Sequence, residues 1–174
     1  MSNITISKKA QLGQEPSLFK SRWDTTQDGS ANDTVVLPLE SAGAYDFQVD
    51  WGDGNRDNIT GYNQSEVTHQ YSNTGIYEIR IKGDVSGVRF GGLGDHEKII
   101  QISSWGPVII RNNYRVFYDC SHLELTATDA PIITTNVLSE MFRSCPNLGN
   151  EGNLNSWDVS NITNMSAMFL GCTS

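Results

Sequence analysis

The stretch Met-Phe-Leu-Gly-Cys at residues 168–172 contains a Phe-x-x-Cys pattern that returns through the last third of the chain. The same pattern occurs at Phe117–Cys120 and Phe142–Cys145, and a weaker earlier copy has Phe90 and Leu93 in the two places. Successive Phe residues are 27, 25 and 27 positions apart. A period of about 20 to 50 residues indicates stacked units, because one unit cannot bury its own apolar face. The pattern therefore predicts a small solenoid.

Other positions return with the same period. The residue fifteen places before each Cys and the residue before each Phe are mostly large and apolar: Trp105, Ala130 and Trp157, then Val116, Met141 and Met168. Equivalent residues stack in successive coils, so we expect Cys120, Cys145 and Cys172 to form an interior column of small hydrophobic side chains. A disulfide or metal role is the alternative, but an odd number of cysteines without a C-x-x-C pair argues against zinc.

Composition bounds the fold and the partners. The chain has 174 residues, enough for one large domain or two small ones, with 18% charged residues and 16 glycines. Runs of helix-forming residues are missing, which favours many short strands joined by tight turns. The net charge of −8 argues against electrostatic binding to nucleic acid or anionic lipid. No apolar run is long enough for a transmembrane helix, and no secretory signal is visible at the N-terminus.

Residues 19–86 read as a series of short strands. Residues 45–51 alternate most clearly, with Tyr45, Phe47, Val49 and Trp51 on one face, and Gly52-Asp-Gly54 predicts a sharp reversal after them. Further strands are predicted at Phe19–Trp23, Thr34–Leu39, Ile59–Asn63, Val67–Tyr71 and Gly75–Lys82, with a turn at Ser41–Ala44. About six strands with turn residues between them indicate a β-sandwich.

Three pieces of this region carry a resemblance to a known family. Asp50-Trp-Gly-Asp-Gly54, His69-Gln-Tyr71 and Gly75-Ile-Tyr77 occur in this order. They resemble the signature of PKD-like immunoglobulin-type domains, in which W-G-D-G is followed by H-x-Y and G-x-Y. The resemblance implies a sandwich that serves as a spacer or adhesion module without catalysis. The signature positions that it covers are Trp51, Gly52, Asp53, Gly54, His69, Tyr71 and Tyr77.

A second resemblance lies in the repeats. The line Asn-Ser-Trp-Asp-Val-Ser-Asn-Ile-Thr-Asn-Met-Ser-Ala-Met-Phe at residues 155–169 resembles the 26-residue unit of the BspA-like leucine-rich repeats of bacterial surface proteins. The resemblance extends over residues 88–174 and is looser in the earlier copies. It implies one short strand per unit in a parallel ribbon, with strands expected at Lys98–Ile102 and His122–Leu125. The signature positions are Phe117, Cys120, Phe142, Cys145, Trp157, Met168, Phe169 and Cys172.

The last unit suggests finer detail. Met165, Met168 and Phe169 have the spacing of one side of a helical turn, and either Asn161 or Asn164 caps the unit or ladders between coils. The sequence ends inside a unit, so we expect the open end to be covered by a longer chain, a partner or a degenerate cap.

The predicted organisation has three parts. Residues 1–18 form an N-terminal arm or linker, in which Ile4 and Ile6 suit a short strand and residues 11–17 look like linker. Residues 19–86 form the PKD-like β-sandwich, and residues 87–174 form the BspA-like solenoid of three to four units, the last incomplete. The glycine-rich stretch from Gly83 to Gly94 marks the boundary.

The acidic turn is the best candidate for a metal site. Asp50, Asp53, Asn55 and Asp57 supply oxygen ligands in a tight loop, which suits Ca²⁺. The spacing departs from the EF-hand loop, since Asn58 stands where that loop needs Gly. The alternative, that the aspartates cap the turn by bonding to its own backbone, is favoured. Calcium is the one cofactor that the sequence suggests.

No catalytic site is predicted. The histidines, His69, His96 and His122, lack metal-pair spacing, and no G-x-S-x-G motif is present. Sugar-stacking aromatic side chains are a further possibility, although most aromatics in small β domains are core. The candidates are Trp23, Tyr62, Tyr114 and Tyr118.

The sequence thus predicts a mainly β protein without enzymatic activity. The favoured function is a surface-exposed structural or display module, either of a virion, as a decoration or fibre protein, or of a bacterial envelope. The alternative is an adhesin or receptor-binding module for a host glycan or protein. Expected partners are proteins, further copies of the chain or a host-surface glycan, with no nucleic acid and no membrane insertion. The expected location is extracellular or on a virion surface.

Overall fold

The computed structural model describes residues 17–111 and 114–174. The predicted short strand at Ile4 and Ile6 and most of the predicted linker lie outside these residues. The described part contains ten strands and two short 3-10 helices, Ser65–Val67 and Leu154–Ser156. The strands are β1 Phe19–Asp24, β2 Thr34–Val36, β3 Leu39–Asp50, β4 Arg56–Ile59, β5 Thr68–Gln70, β6 Ile76–Val88, β7 Ile99–Ser104, β8 Val108–Ile110, β9 Glu124–Leu125 and β10 Ile132–Ile133.

Eight of the strands form one mixed sheet. Its main path is β10-β8-β6-β1-β7-β9, and the hairpin of β3 and β4 joins it at β6. β2 and β5 pair separately in a two-stranded antiparallel sheet. The alternation of β1 explains its place at the centre, because Phe19, Ser21 and Trp23 are buried while the residues between them face the other side.

The β3–β4 hairpin follows the predicted reversal. Gly52 and Gly54 both have positive φ, 83° and 97°, the backbone region that glycine enters without a side-chain clash. Phe47, Val49 and Trp51 are buried, as the alternation predicts. The predicted turn at residues 41–44 is wrong, because these residues belong to β3. The pairing of β3 with β6 is irregular between Leu39 and Ala44, so the turn-like residues lie in an irregular part of the strand.

The glycine-rich stretch does not interrupt the sheet at its start. β6 runs through Gly83 to Val88 and pairs with β3 along most of its length. Beyond that, Val85 and Ser86 pair in parallel with β8, and β8 pairs in parallel with β10. The sheet is therefore continuous across residue 86. Whether residues 19–86 and 87–174 are separate domains stays a prediction.

The Phe-x-x-Cys copies lie directly on one another. The rings of Phe90, Phe117, Phe142 and Phe169 form a column with successive centroids 5.9, 5.6 and 5.9 Å apart. The backbone follows the same step, since the N–H of each Phe donates to the carbonyl before the next Phe, at Val116, Met141 and Met168. Strands β7 and β9 pair in parallel between copies. One copy therefore buries the aromatic face of its neighbour.

Two details of the predicted repeats are wrong. Leu93, placed by the spacing in the Cys column, is 74% exposed. Met168 and Phe169 lie in turns, and the three residues do not share one buried face, because Met168 is buried while Met165 and Phe169 are each 43% exposed. Non-glycine residues with positive φ, such as Arg115, Glu140 and Ala167, recur two places before each Phe and prevent a helical course there.

The predicted mainly β fold is confirmed. The architecture that the structure shows is an open mixed sheet with a small second sheet. The immunoglobulin-type sandwich and the leucine-rich-repeat solenoid remain interpretations of this arrangement.

Candidate functional site

The residues of the PKD-like signature meet at the β3–β4 turn. The imidazole of His69, on β5, lies parallel to the indole of Trp51 with 4.7 Å between ring centroids. Tyr71 meets His69 edge to face at 4.5 Å and stacks on Tyr77 at 3.7 Å. The Tyr71 hydroxyl donates to the Trp51 carbonyl at 3.0 Å. The four rings thus form one packed cluster that joins β3, β5 and β6.

Carboxylates of the acidic turn hold this cluster in place. Asp57 accepts a hydrogen bond from the Trp51 indole N–H at 2.8 Å, and Asp53 accepts one from His69 Nε2 at 2.9 Å. Burial alone would raise the pKa of Asp53, but hydrogen bonds from the Asn55 backbone N–H, His69 and the Asn55 side chain lower it overall. Burial raises the pKa of Tyr71, so its hydroxyl stays protonated and able to donate.

Each aspartate among the predicted calcium ligands already accepts a hydrogen bond from the protein, Asp57 from the Trp51 indole, and the Asn55 amide donates to Asp53. Asp50 accepts from Arg56 and from the Gly52 N–H, and Asp53 accepts from Asn55 and His69. Within residues 17–111 and 114–174, no group of three or more His, Cys, Asp or Glu side chains is placed to hold a metal ion. The bonds are those of a turn that caps its own backbone, the favoured alternative. Calcium binding at Asp50, Asp53, Asn55 and Asp57 stays a prediction.

The three cysteines are free and stand at equivalent places in the stack. Cys120 and Cys145 are buried, and Cys172 is half-buried. The thiol of Cys145 donates to the Phe117 carbonyl at 3.0 Å, and that of Cys172 donates to the Phe142 carbonyl at 3.1 Å. Burial raises the pKa of Cys145 to about 12. Neutral buried thiols of this kind pack as small hydrophobes and are weak nucleophiles.

A buried lysine, which sequence reasoning missed, joins β7 to the loop before β2. Lys98 is fully buried, and its Nζ lies 2.8 to 3.0 Å from four oxygens, of Ser30, Ala31 and Thr34. Nearby, the buried Asp95 accepts hydrogen bonds from Ser30 and from the Val36 N–H. Burial lowers the pKa of Lys98, opposed by the charge of Asp95. These hydrogen bonds join residues that are 64 to 68 positions apart in the sequence, and no local motif predicts them.

The predicted sugar-stacking aromatics fall into three environments. Trp23 is core, with 2% exposure, so its assignment as an exposed platform is wrong. Tyr62 is 43% exposed. Tyr114 carries two guanidiniums, those of Arg89 and Arg115, at 4.8 and 5.5 Å from the ring centroid. Tyr118 likewise carries those of Arg115 and Arg143, at 4.9 and 5.8 Å. These two tyrosines act in cation–π contacts along the stack.

The other two histidines lie near carboxylates on the repeat side. His96 Nε2 is 3.6 Å from Glu97, and His122 Nδ1 is 3.1 Å from the same side chain. The hydroxyl of Ser121 donates a hydrogen bond to the same Glu97 carboxylate, whereas His69 lies at the β3–β4 turn and bonds to Asp53. His96 and His122 therefore flank one carboxylate, that of Glu97, on the repeat side of the chain.

Comparison with known proteins gives one match. A family described as "Mycoplasma protein of unknown function, DUF285" matches residues 112–174, the part that contains all three Phe-x-x-Cys copies. No curated protein and no solved structure matches the chain. Among the described residues, no helix is long and apolar enough to cross a membrane.

Proposed function

We propose that this protein is a non-catalytic, surface-exposed structural or display module, carried by a bacterial envelope or by a virion as a decoration or fibre protein. The single observation that carries the proposal is that the aromatic and thiol side chains of the repeats contact the neighbouring repeat. The aromatic and thiol groups of each copy bond to or pack on the next copy, so the repeat builds a continuous stack whose outer faces are free for contact.

The finer fold assignments belong to the same proposal. We interpret the strands of residues 19–86 as a PKD-like immunoglobulin-type unit, supported by the joint packing of Trp51, His69, Tyr71 and Tyr77. We interpret residues 87–174 as a BspA-like leucine-rich-repeat solenoid, supported by the parallel pairing of β7 with β9. The matched family is associated with BspA-like repeat proteins.

The packing of the acidic turn supports a structural role for that turn. Asp53 and Asp57 each bond to a ring of the aromatic cluster, so their carboxylates fix side chains in place. A hydrolase would need a carboxylate or hydroxyl directed at a substrate. We therefore propose that the module recognises or supports other molecules without converting them.

Light scattering of the purified chain, with and without Ca²⁺, tests the structural role. We expect a discrete oligomer of three or more chains whose mass does not change with calcium. A monomer at every concentration would overturn the structural role and leave the binding role. A calcium-dependent mass would establish the metal site at the acidic turn.

A binding module is the second candidate function, an adhesin for a host glycan or protein. It is favoured by the exposed polar side chains on the solvent face of the open sheet, such as Arg22, Arg80 and Lys82. Saturable binding of the labelled protein to host cells tests it, with the unfolded protein as the control. Binding that neither saturates nor is displaced by unlabelled protein would contradict it.

A further inference from the structure

A one-way ladder of backbone hydrogen bonds joins the Phe-x-x-Cys copies. We call the copies that contain Phe117, Phe142 and Phe169 the second, third and last copies. Alternate N–H groups of the third copy donate to carbonyls of the last copy at 2.8 to 3.0 Å; the pairs are Leu138 to Asn164, Glu140 to Ser166, Phe142 to Met168 and Ser144 to Leu170. The second copy donates to the third in the same way; its donors are Arg115, Phe117 and Asp119. In this part of the stack, each copy therefore donates to the one that follows it.

The last copy presents the same donors without protein acceptors. None of its four equivalent N–H groups donates a hydrogen bond to any residue in 17–111 or 114–174; they belong to Met165, Ala167, Phe169 and Gly171. We call these four groups the donor edge. Ala167 and Gly171 have positive φ, 53° and 85°, as Glu140 and Ser144 have in the third copy, 54° and 61°. The backbone is therefore already shaped to donate.

The carbonyls of the same segment are already used. Those of residues 164, 166, 168 and 170 accept from the third copy, and those of Met165, Ala167 and Phe169 accept from N–H groups three positions later. The edge thus lacks acceptors rather than donors. The third copy satisfies its own four donors with carbonyls at alternate positions of one chain, so a polypeptide is the ligand whose acceptors have this spacing.

The side chains beside the donor edge are apolar and uncharged. Phe169 and Leu170 are 43% and 57% exposed. Phe142 stacks between two rings of the column, whereas Phe169 has one such ring partner among the described residues. Residues 159–174 contain no Asp, Glu, Lys, Arg or His. Centres of protein interfaces are depleted of charge and enriched in aromatic residues, so this composition favours a protein partner.

A second copy of the chain does not supply the missing acceptors. Two last copies placed end to end would oppose donors to donors. The ladder carbonyls of the third and last copies already accept within their own stack. At the other end of the ring column, Trp23 packs on Phe90 with 5.7 Å between ring centroids, so that end is covered. The acceptors must therefore come from a different polypeptide.

We infer that the donor edge binds a polypeptide segment of another protein, which extends the ladder by one step. The segment presents carbonyls at alternate residues to the four N–H groups and an aromatic ring to Phe169, a form of recognition by backbone addition. A small donor three positions after that ring reaches the Phe169 carbonyl, as the Cys172 thiol reaches the Phe142 carbonyl at 3.1 Å. The inference rests on the proposed display role and names the site and chemistry of one partner contact.

Calorimetric titration of the purified chain with a synthetic peptide tests the inference. The peptide has the sequence of residues 164–172 with Cys172→Ser and blocked ends, because this segment carries the carbonyls that the third copy binds. We expect it to bind, and the same peptide with Phe169→Ala to bind at least about tenfold more weakly. Added salt should change the affinity less than about twofold, since neither side is charged. No binding at millimolar peptide, or equal binding of a scrambled peptide, would overturn the inference.

Amide hydrogen exchange followed by NMR tests the ladder itself. In the chain alone, the amides of Ala167, Phe169 and Gly171 should exchange fast, and saturating peptide should slow them at least about tenfold. The exposed amide of Gly54, at the β3–β4 turn, is the control and should not change. Peptide binding that leaves the donor edge in fast exchange would place the peptide elsewhere and overturn the inference.

Two protein variants locate the ring contact. Phe169→Ala should weaken binding of the peptide about tenfold, because the partner ring loses its stacking surface. Leu93→Ala, the control, removes a side chain that is 74% exposed in the earliest copy and should bind within about twofold of the original chain. Phe169→Leu keeps an apolar side chain and supplies a second probe if Phe169→Ala is unstable. Equal losses in Phe169→Ala and Leu93→Ala would contradict the assigned site.

Two further results separate the alternatives. Donor-edge amides that are protected in concentrated protein alone and exposed on dilution would assign the edge to a second copy and overturn the inference. Failure of peptide binding, with the protein still found on an outer surface, would reject this inference and leave the display role standing.

Discussion

The indoles of Trp105 and Trp157 meet edge to face, with ring centroids 5.4 Å apart and planes inclined at 83°. They belong to copies that are not adjacent, because Ala130 holds the equivalent place in the copy between them. Both indoles are buried, with 0% and 7% exposure. The small side chain at position 130 thus allows the tryptophans to contact each other across a full copy.

Enlarging the side chain at position 130 should separate the two indoles. We expect Ala130→Leu to lower the free energy of unfolding by about 1–3 kcal/mol, the usual cost of overpacking a filled core. Urea unfolding followed by tryptophan fluorescence measures both the loss and the changed indole environment. Thr128→Leu, an exposed position two residues away, is the control and should change stability little. Equal stability of Ala130→Leu and the original chain would show that the contact is not constrained by residue 130.

The aromatic column should be most sensitive at its middle. Phe142 is fully buried and stacks on Phe117 and Phe169, whereas Phe169 is 43% exposed. We expect Phe142→Ala to cost about 3–5 kcal/mol and Phe169→Ala about 1–2 kcal/mol. Denaturant titration of both variants gives the comparison. A greater loss at position 169 would mean that the column is covered beyond its last ring.

The contacts of Lys98 predict a large effect from a neutral replacement. Lys98→Met has a similar length but leaves the carbonyls of Ser30, Ala31 and Thr34 without their donor and Asp95 without its compensating charge. We expect a loss of about 3 kcal/mol in the free energy of unfolding. Lys82→Met, at an exposed position, is the control in the same thermal denaturation experiment. An unchanged free energy of unfolding in Lys98→Met would show that the cost of burying the ammonium group equals the stabilisation from its hydrogen bonds.

Acid should weaken the aromatic cluster through Asp53. The pKa of this carboxyl is below its ordinary value of 3.8 in the folded chain, so the unfolded chain binds the proton more readily. Its contribution is therefore complete above 3.8 and is lost as the pH falls through the folded pKa. Asp53→Asn should lower stability by about 1 kcal/mol at pH near 6, and the difference should shrink in acid.

Urea unfolding at a series of pH values measures this dependence. Asp28→Asn, an exposed carboxyl without a hydrogen bond to any described residue, serves as the matched control. A difference between Asp53→Asn and the original chain that persists unchanged below the folded pKa would contradict the role given to the Asp53–His69 bond.

Local and periodic features of the fold could be predicted from the sequence. The spacing of Phe117, Phe142 and Phe169 predicts the column because equivalent residues of stacked units must meet. The reversal at Gly52 and Gly54 follows from backbone freedom, and the burial of Phe47 and Val49 follows from alternation. In each case the signal lies within one unit or in one period.

Features that depend on distant pairing could not be predicted. The contact of Lys98 with Ser30 joins elements with no shared period, and the continuation of the sheet from β6 to β8 depends on which strands become neighbours. The burial of Trp23 could not be predicted either, because alternation gives a strand two faces without saying which one is covered.

Labelling of intact cells or particles of the source organism, with antibodies raised against the folded protein, tests the central claim most directly. If the protein is a display module, the antibodies label the outer surface without permeabilisation. Treatment of the intact surface with a protease then removes that label. Label that appears only after the cells or particles are opened would contradict the claim.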